Sequence, residues 1–295
     1  MTHPALSMLA EELLSAEMFR AAVVLCAVGV AGAVLSVFVV LRRWAYLGEG
    51  ISHAGFSGVG TALLISVAIP SLNNQTSIFL IAATFAMATA LAVAWISRGR
   101  GVTGDTAIGI FVAAALAWGF IALDIHAHLG RGSSGSSGWE NYLLGDIRRL
   151  TPAGAMLGVG FSVAIVLTML VLRREMTLYC FDPMLAEVTG VAVGFVHYLL
   201  ISLVGLVIVI GMQLVGNLLI PALLVLPGAT GLALSRNMRV VIATAVAASL
   251  LATLGGLMTT HYWRFLQPGP AITMVLFLEF LLAHGFQSLM RRDTC

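Results

Sequence analysis

The chain has 295 residues, of which 60% are hydrophobic and 9% charged, and its formal net charge is +2. A water-soluble protein of this length cannot hide that much apolar surface, so the composition excludes a soluble globular domain and points to lipid as the solvent. The small net charge says little by itself, and no nucleic-acid partner is expected.

Residues 1–20 come first. PALSMLAEELLSAEMF sets apolar residues at helical spacing beside Glu11, Glu12 and Glu17. It reads as an interfacial amphipathic segment, since a signal peptide has a basic start and a continuous apolar core. Nine apolar runs of roughly 17–22 residues follow, each enough for a hydrocarbon core about 30 Å thick. They lie near Ala21–Leu41, Ile51–Pro70, Ser77–Ser97, Ala107–Leu123, Ala153–Leu172, Val193–Gly211, Leu214–Leu234, Val240–Met258 and Ala271–Phe286. The sixth and seventh almost touch, which leaves room for a broken or re-entrant segment. The expected fold is all-α, a polytopic transmembrane bundle of about 8–9 spans forming one domain over residues 1–295.

Charge in the connections gives the expected orientation. Arg42/Arg43, Arg98/Arg100, Arg173/Arg174, Arg236/Arg239 and Arg291/Arg292 follow alternate runs. The other side carries Arg20, Arg131, Arg148, Arg149 and Arg264. By the positive-inside rule the N-terminus lies outside and the C-terminus in the cytoplasm. The connection 124–151 is then a long outer loop holding His126, His128 and the tether-like GSSGSSG. Glycines recur inside the runs, notably Gly55, Gly58 and Gly60, and favour close helix packing. Pro221 and Pro227 interrupt the seventh run, where Gln213 and Asn217 can satisfy freed backbone groups.

The stretch REMTLYCFDPMLAEVTGV, residues 174–191, breaks the pattern. Asp182 before Pro183 reads as an N-cap with proline in the first helical turn, and Gly190 as a terminator. Met184, Leu185 and Val188 make an apolar face, so a cytoplasmic docking helix for a soluble partner is expected, with Glu187 on it. No phosphate-binding GxxxxGK[ST] occurs, so any ATP must be bound by another subunit. Cys26, Cys180 and Cys295 are scattered and form no C-x-x-C, which gives neither a disulfide framework nor a zinc cluster.

Glu49 and His53 are four apart and share a helix face at the mouth of the second run. A carboxylate and an imidazole suit Zn²⁺, Mn²⁺ or Fe²⁺, and two donors need others to complete a coordination sphere. Glu279, midway along the last run, is a second candidate pathway acid or a structural acceptor. His284 points away from it, and His197, His126 and His128 read as packed, interfacial or loop histidines. Gly55-Phe56-Ser57-Gly58 matches the G-x-S-G of intramembrane serine proteases, with Ser57 as nucleophile and His197 or His284 as base. Close packing of small residues is the alternative meaning of the same four residues.

Several blocks resemble one family, the membrane permeases of ABC-type importers for zinc, manganese and iron. LRRWAYLGEGISHAG is similar to its first block, and DTAIGI and NYLLGDI to the next two. FDPMLAEVTGV resembles the block that packs on the ATPase, QLVGNLLIPALLVLPGAT the late block with paired prolines, and QPGPAI the entry to the last span. The resemblance implies a non-enzymatic permease in the inner or plasma membrane of a prokaryote, with no permanently bound cofactor. It implies a cytoplasmic ATP-binding subunit docked at Asp182, Pro183, Met184, Leu185 and Glu187. An extracytoplasmic solute-binding protein and a second permease copy, giving a homodimer, complete the assembly. The family's metal-path Asp and His fall on Glu49 and His53, with Glu here where Asp is usual. Cargo would be a divalent metal ion, or alternatively a metal chelate such as a siderophore.

Overall fold

In lipid every backbone N–H and C=O needs a partner within the chain, and helices meet that need segment by segment. The computed structural model describes residues 16–98, 103–131, 152–215, 219–263 and 266–292, and among them there is no strand. The helices are α1 (Ala16–Leu41), α2 (Leu47–Ala68), α3 (Gln75–Ser97), α4 (Gly104–His126), α5 (Pro152–Val171) and α6 (Arg173–Phe181). They continue with α7 (Pro183–Val188), α8 (Val193–Val215), α9 (Leu219–Leu223), α10 (Leu226–Leu234), α11 (Met238–Tyr262) and α12 (Pro268–Arg292). Eight of them, α1–α5, α8, α11 and α12, are long and apolar enough to cross a membrane.

The run expected at Leu214–Leu234 is a broken passage. Leu224 and Val225 separate α9 from α10, and Pro227 lies in the first turn of α10, where its missing N–H costs no helical bond. A Cβ on Gly32 would touch Leu223, and one on Gly228 would touch Ser36, so α9 and α10 run parallel to α1. Gly211 of α8 meets Ile220 and Val28 where this passage begins. The bundle is therefore eight continuous spans plus one broken passage that returns the chain across the same depth. Gln213 and Asn217, expected to support the break, have side chains outside the described residues.

Three other expectations shift. Helix α1 already begins at Ala16, so residues 16–20 continue into the first span; residues 1–15 of the expected amphipathic segment lie outside the described residues. Helix α4 runs on to His126 and closes in a π turn over Ala127–Arg131, so the connection after it starts later than residue 124. Residues 132–151, with GSSGSSG, Arg148 and Arg149, are not described. The expected docking helix is a pair, α6 and α7, with the chain turning at Asp182.

Local chemistry explains that turn. The Asp182 Oδ1 accepts from the Met184 N–H at 2.9 Å and the Leu185 N–H at 3.0 Å, and Pro183 opens α7. Gly190 ends the segment at φ +85°, in the left-handed region. At the end of α1, the Arg43 N–H donates to the Val40 carbonyl and the Trp44 N–H to the Val39 carbonyl, both at 3.0 Å. That is a Schellman motif, and it places Arg43 at φ +59° where glycine is usual. The left-handed backbone costs roughly 1–2 kcal/mol for a residue with a Cβ.

Glycine contacts set the closest approaches. A Cβ at Gly228 would lie 2.6 Å from the Ser36 backbone, whereas one at Gly109 would meet nothing within 4 Å. Gly228→Ala is expected to lower stability by about 1–3 kcal/mol, the usual cost of overpacking. Gly109→Ala is expected to leave it unchanged or slightly higher. Thermal unfolding of the two purified variants in detergent checks the pair.

Candidate functional site

Glu49 lies in the first turn of α2 and His53 one turn on, as their spacing predicted. The His53 Nε2 stands 3.6 Å from the Glu49 Oε1, with the two side chains 28% and 53% exposed. The pair is accessible at the surface of the chain. Glycines flank it: a Cβ at Gly48 would lie 3.1 Å from Leu224 Cδ1, and one at Gly50 would lie 3.1 Å from Ile108 Cγ2. The first turn of α2 is thereby wedged between the broken passage and α4, and the charged pair is left facing the third, open side. Among the described residues no group of three or more His, Cys, Asp or Glu converges on a metal site. One chain supplies two donors.

Ser57 has a different task from the one its G-x-S-G setting suggested. It is fully buried, and its hydroxyl meets the carbonyls of His53 at 3.1 Å and of Ala115 on α4. No imidazole is among these partners. Trp118 Nε1 donates to Thr61 Oγ1 at 2.9 Å one turn higher, so Ser57 and Thr61 tie α2 to α4. The packing meaning of these small residues holds, and the nucleophile meaning does not.

Glu279 is half-buried on α12, and its Oε2 is enclosed with no hydrogen-bond partner among the described residues. α12 packs against α9, α10 and α11, and the acid joins no cluster with Glu49 and His53. His284 stacks on Phe280, with ring centroids 6.0 Å apart. His126 and His128 lie at the far end of α4 and belong to no three-residue cluster either.

His197 is packed, as expected, but its partners were not visible in the sequence. It is 5% exposed, with Nε2 at 2.9 Å from the Ala94 carbonyl on α3 and Nδ1 at 2.7 Å from the Tyr179 hydroxyl on α6. A carbonyl only accepts, so Nε2 carries the proton and Nδ1 accepts from Tyr179. Trp44 meets the same ring edge-on at 5.4 Å. The Arg42 guanidinium lies over Tyr179 at 4.5 Å and over Trp44 at 5.2 Å, a cation–π stack with its Nε buried and without a hydrogen-bond partner among the described residues. Burial pushes the Tyr179 phenol up to about 12, against the pull of Arg42, so it stays a donor throughout the physiological range. The Cys180 thiol beside it is also pushed up to about 12 by burial. This network gathers the ends of α1 and α3, the segment α6 and the start of α8. The only sequence signal for it was the unusual run of polar and aromatic residues around Tyr179.

The ABC 3 transport family matches residues 15–287, nearly the whole chain. The chain belongs to that family. The manganese transport system membrane protein MntC of Halalkalibacterium halodurans is 30% identical over 259 residues, covering 88% of this chain and 83% of its own. The chelated iron transport system membrane protein YfeD of Yersinia pestis is 31% identical over 273 residues, covering 90% and 84%. Among solved structures, PsaBC from Streptococcus pneumoniae in complex with a Fab matches at a TM-score of 0.76 and 26% identity, over 94% of this chain and 95% of that one. This chain is thus a membrane permease of an ABC transporter, as the sequence blocks implied.

Ser57→Ala in this permease is expected to cost about 0.5–1.5 kcal/mol, one hydrogen bond between helices, and to leave transport in place. Melting temperature and metal uptake by the reconstituted transporter check it. Loss of uptake at unchanged stability would contradict the packing role.

Proposed function

We propose that this permease belongs to an ATP-driven importer carrying a divalent transition metal, manganese or iron, into the cytoplasm of a bacterium. The observation that carries the reading is the accessible Glu49–His53 pair at the mouth of α2. Carboxylate oxygen with imidazole nitrogen suits both metals. A second copy related by a twofold axis would bring a second pair, giving two carboxylates and two imidazoles around a shared path. Names of relatives at 30–31% identity, one for manganese and one for chelated iron, support this cargo class. An extracytoplasmic solute-binding protein delivers the ion to the outer side, where the N-terminus lies.

ATP hydrolysis belongs to a separate cytoplasmic subunit that docks on α6 and α7. Met184 and Val188 on α7 are 80% and 86% exposed, and Leu185 and Phe181 are also open. Four apolar side chains on a capped, rigid segment beside the arginine-bearing ends suit a groove in a soluble partner. Asp182 and Pro183 shape the segment, and Glu187 gives it a charged flank.

Glu49→Gln and His53→Ala are each expected to lower metal uptake at least about tenfold, the factor produced by about 1.4 kcal/mol of lost coordination. The measurement is radioactive manganese or iron uptake in vesicles holding the assembled transporter. Wild-type uptake in both variants would sink the ligand role and favour a chelate as cargo. Met184→Asp with Leu185→Asp is expected to abolish co-purification of the ATPase while leaving the permease folded. Retained co-purification would place the docking surface elsewhere.

A further inference from the structure

Two loose ends meet in one place: a buried polar network that the transport path does not use, and a strained connection directly before the metal pair. Arg43 alone among the described non-glycine residues has a positive φ, +59°. The next residue, Trp44, is 6% exposed and packs edge-on to His197. Its indole also lies against Gly104, where a Cβ would stand 2.7 Å from Nε1. From Trp44 the chain enters α2 at Leu47, with the Leu47 N–H donating to the Trp44 carbonyl at 2.9 Å, and Glu49 is two residues further. On the other side of the imidazole, the Tyr179 hydroxyl is bonded to Nδ1, and Tyr179 is three residues before the cap Asp182 that starts α7.

We propose that Tyr179, His197 and Trp44 form a latch that couples the docking segment α6–α7 to the first turn of α2, and so positions Glu49 and His53 in response to the ATPase. The inference rests on the permease reading above and adds positioning residues to it. The contacts are directional. His197 is anchored to the Ala94 carbonyl on α3 through Nε2, with Ser97 Oγ 3.3 Å from the same nitrogen. The imidazole is thus a fixed point on the α3–α8 pair. Displacement of α6 stretches the Tyr179 hydrogen bond and moves the Tyr179 ring beneath the Arg42 guanidinium, which also lies over Trp44. Trp44 is then free to move only by backbone rotation, and Arg43, held in a sparsely populated conformation, is where that rotation relaxes strain. Strain kept at such a position persists only while its neighbours hold it. Here those neighbours are the carbonyls of Val39 and Val40, which close the Schellman motif, and the packing of Trp44 on His197. Side chains packed in two discrete arrangements transmit motion in this way, whereas a loop without fixed partners absorbs it.

The experiment uses the complete transporter, permease with ATPase and binding protein, reconstituted in lipid vesicles. Metal taken up per ATP hydrolysed is measured together with the melting temperature of the complex. Tyr179→Phe removes the hydroxyl and keeps the ring under Arg42. It is expected to lower the uptake-to-ATP ratio at least about threefold, with ATP turnover and melting temperature near wild type. His197→Phe should lower it similarly, and the double variant no further, because both act through one bond. Trp44→Phe, milder and at the other end of the latch, should lower the ratio about twofold, and it keeps the test decisive if Tyr179→Phe assembles poorly. An unchanged ratio in assembled variants overturns the latch. A fall that only tracks loss of assembled complex also overturns it, in favour of simple packing. Absence of metal uptake by the wild-type transporter would overturn the permease reading as well, so the two failures are distinguishable.

Discussion

Along α2, Gly48, Gly50, Gly58 and Gly60 each stand where a Cβ would come within 2.6–3.1 Å of a neighbouring helix. Three neighbours are met in this way: the broken passage at Leu224, α4 at Ile108 and again at Gly119, and α3 at Ala82. Without a hydrophobic force between helices in lipid, association rests on such close contact and on interhelical hydrogen bonds. α2 has both, since Ser57 and Thr61 add polar ties to α4. The helix that carries Glu49 and His53 is consequently closely enclosed on its packed sides. Its polar residues can only open toward the remaining one.

That geometry also makes the charges tolerable. A carboxylate at the centre of a span costs about 2.5–3.5 kcal/mol on insertion scales. Glu49 avoids most of that cost, because it lies in the first helical turn, is half exposed and has His53 beside it. The N-terminal end of α2 further favours a negative charge. Glu279 enjoys none of these, with one oxygen enclosed and unpartnered on α12. The two acids, similar in sequence, thus differ in setting: Glu49 is the more exposed and has His53 beside it, whereas Glu279 is half-buried with one oxygen enclosed.

Much of this was legible locally. Span positions followed from apolar length, and the Asp182–Pro183 start and Gly190 end of the α7 segment followed from capping chemistry within nine residues. The glycine rows announced close packing. What was not legible is non-local or conformational. His197 meets Tyr179 and Ala94 across 18 and 103 residues, and no period in the chain links them. Arg43 in the left-handed region follows from the Schellman closure of α1, since nothing about arginine prefers it. The seventh run looked continuous in hydropathy because apolar composition is blind to hydrogen bonding. Its prolines carried the true signal.

Those prolines bear on the site more than their distance in sequence suggests. Pro227 has no N–H, so the Leu223 carbonyl lacks the donor that a continuous helix would supply four residues on. Non-helical backbone at membrane depth is tolerated where it is buried in protein or lines a polar cavity. The first condition is met here, because Leu223 faces Gly32 of α1 while Leu224 and Pro221 lie against Gly48, next to Glu49. A straight helix in this position would push a full row of side chains at α2, and Gly48 leaves no room for that. The break turns the passage where α2 comes closest, so the same irregularity that disrupts the seventh run makes space for the first turn of α2. The position of Glu49 and His53 therefore depends on the broken passage on one side and on the Arg43–Trp44 turn on the other.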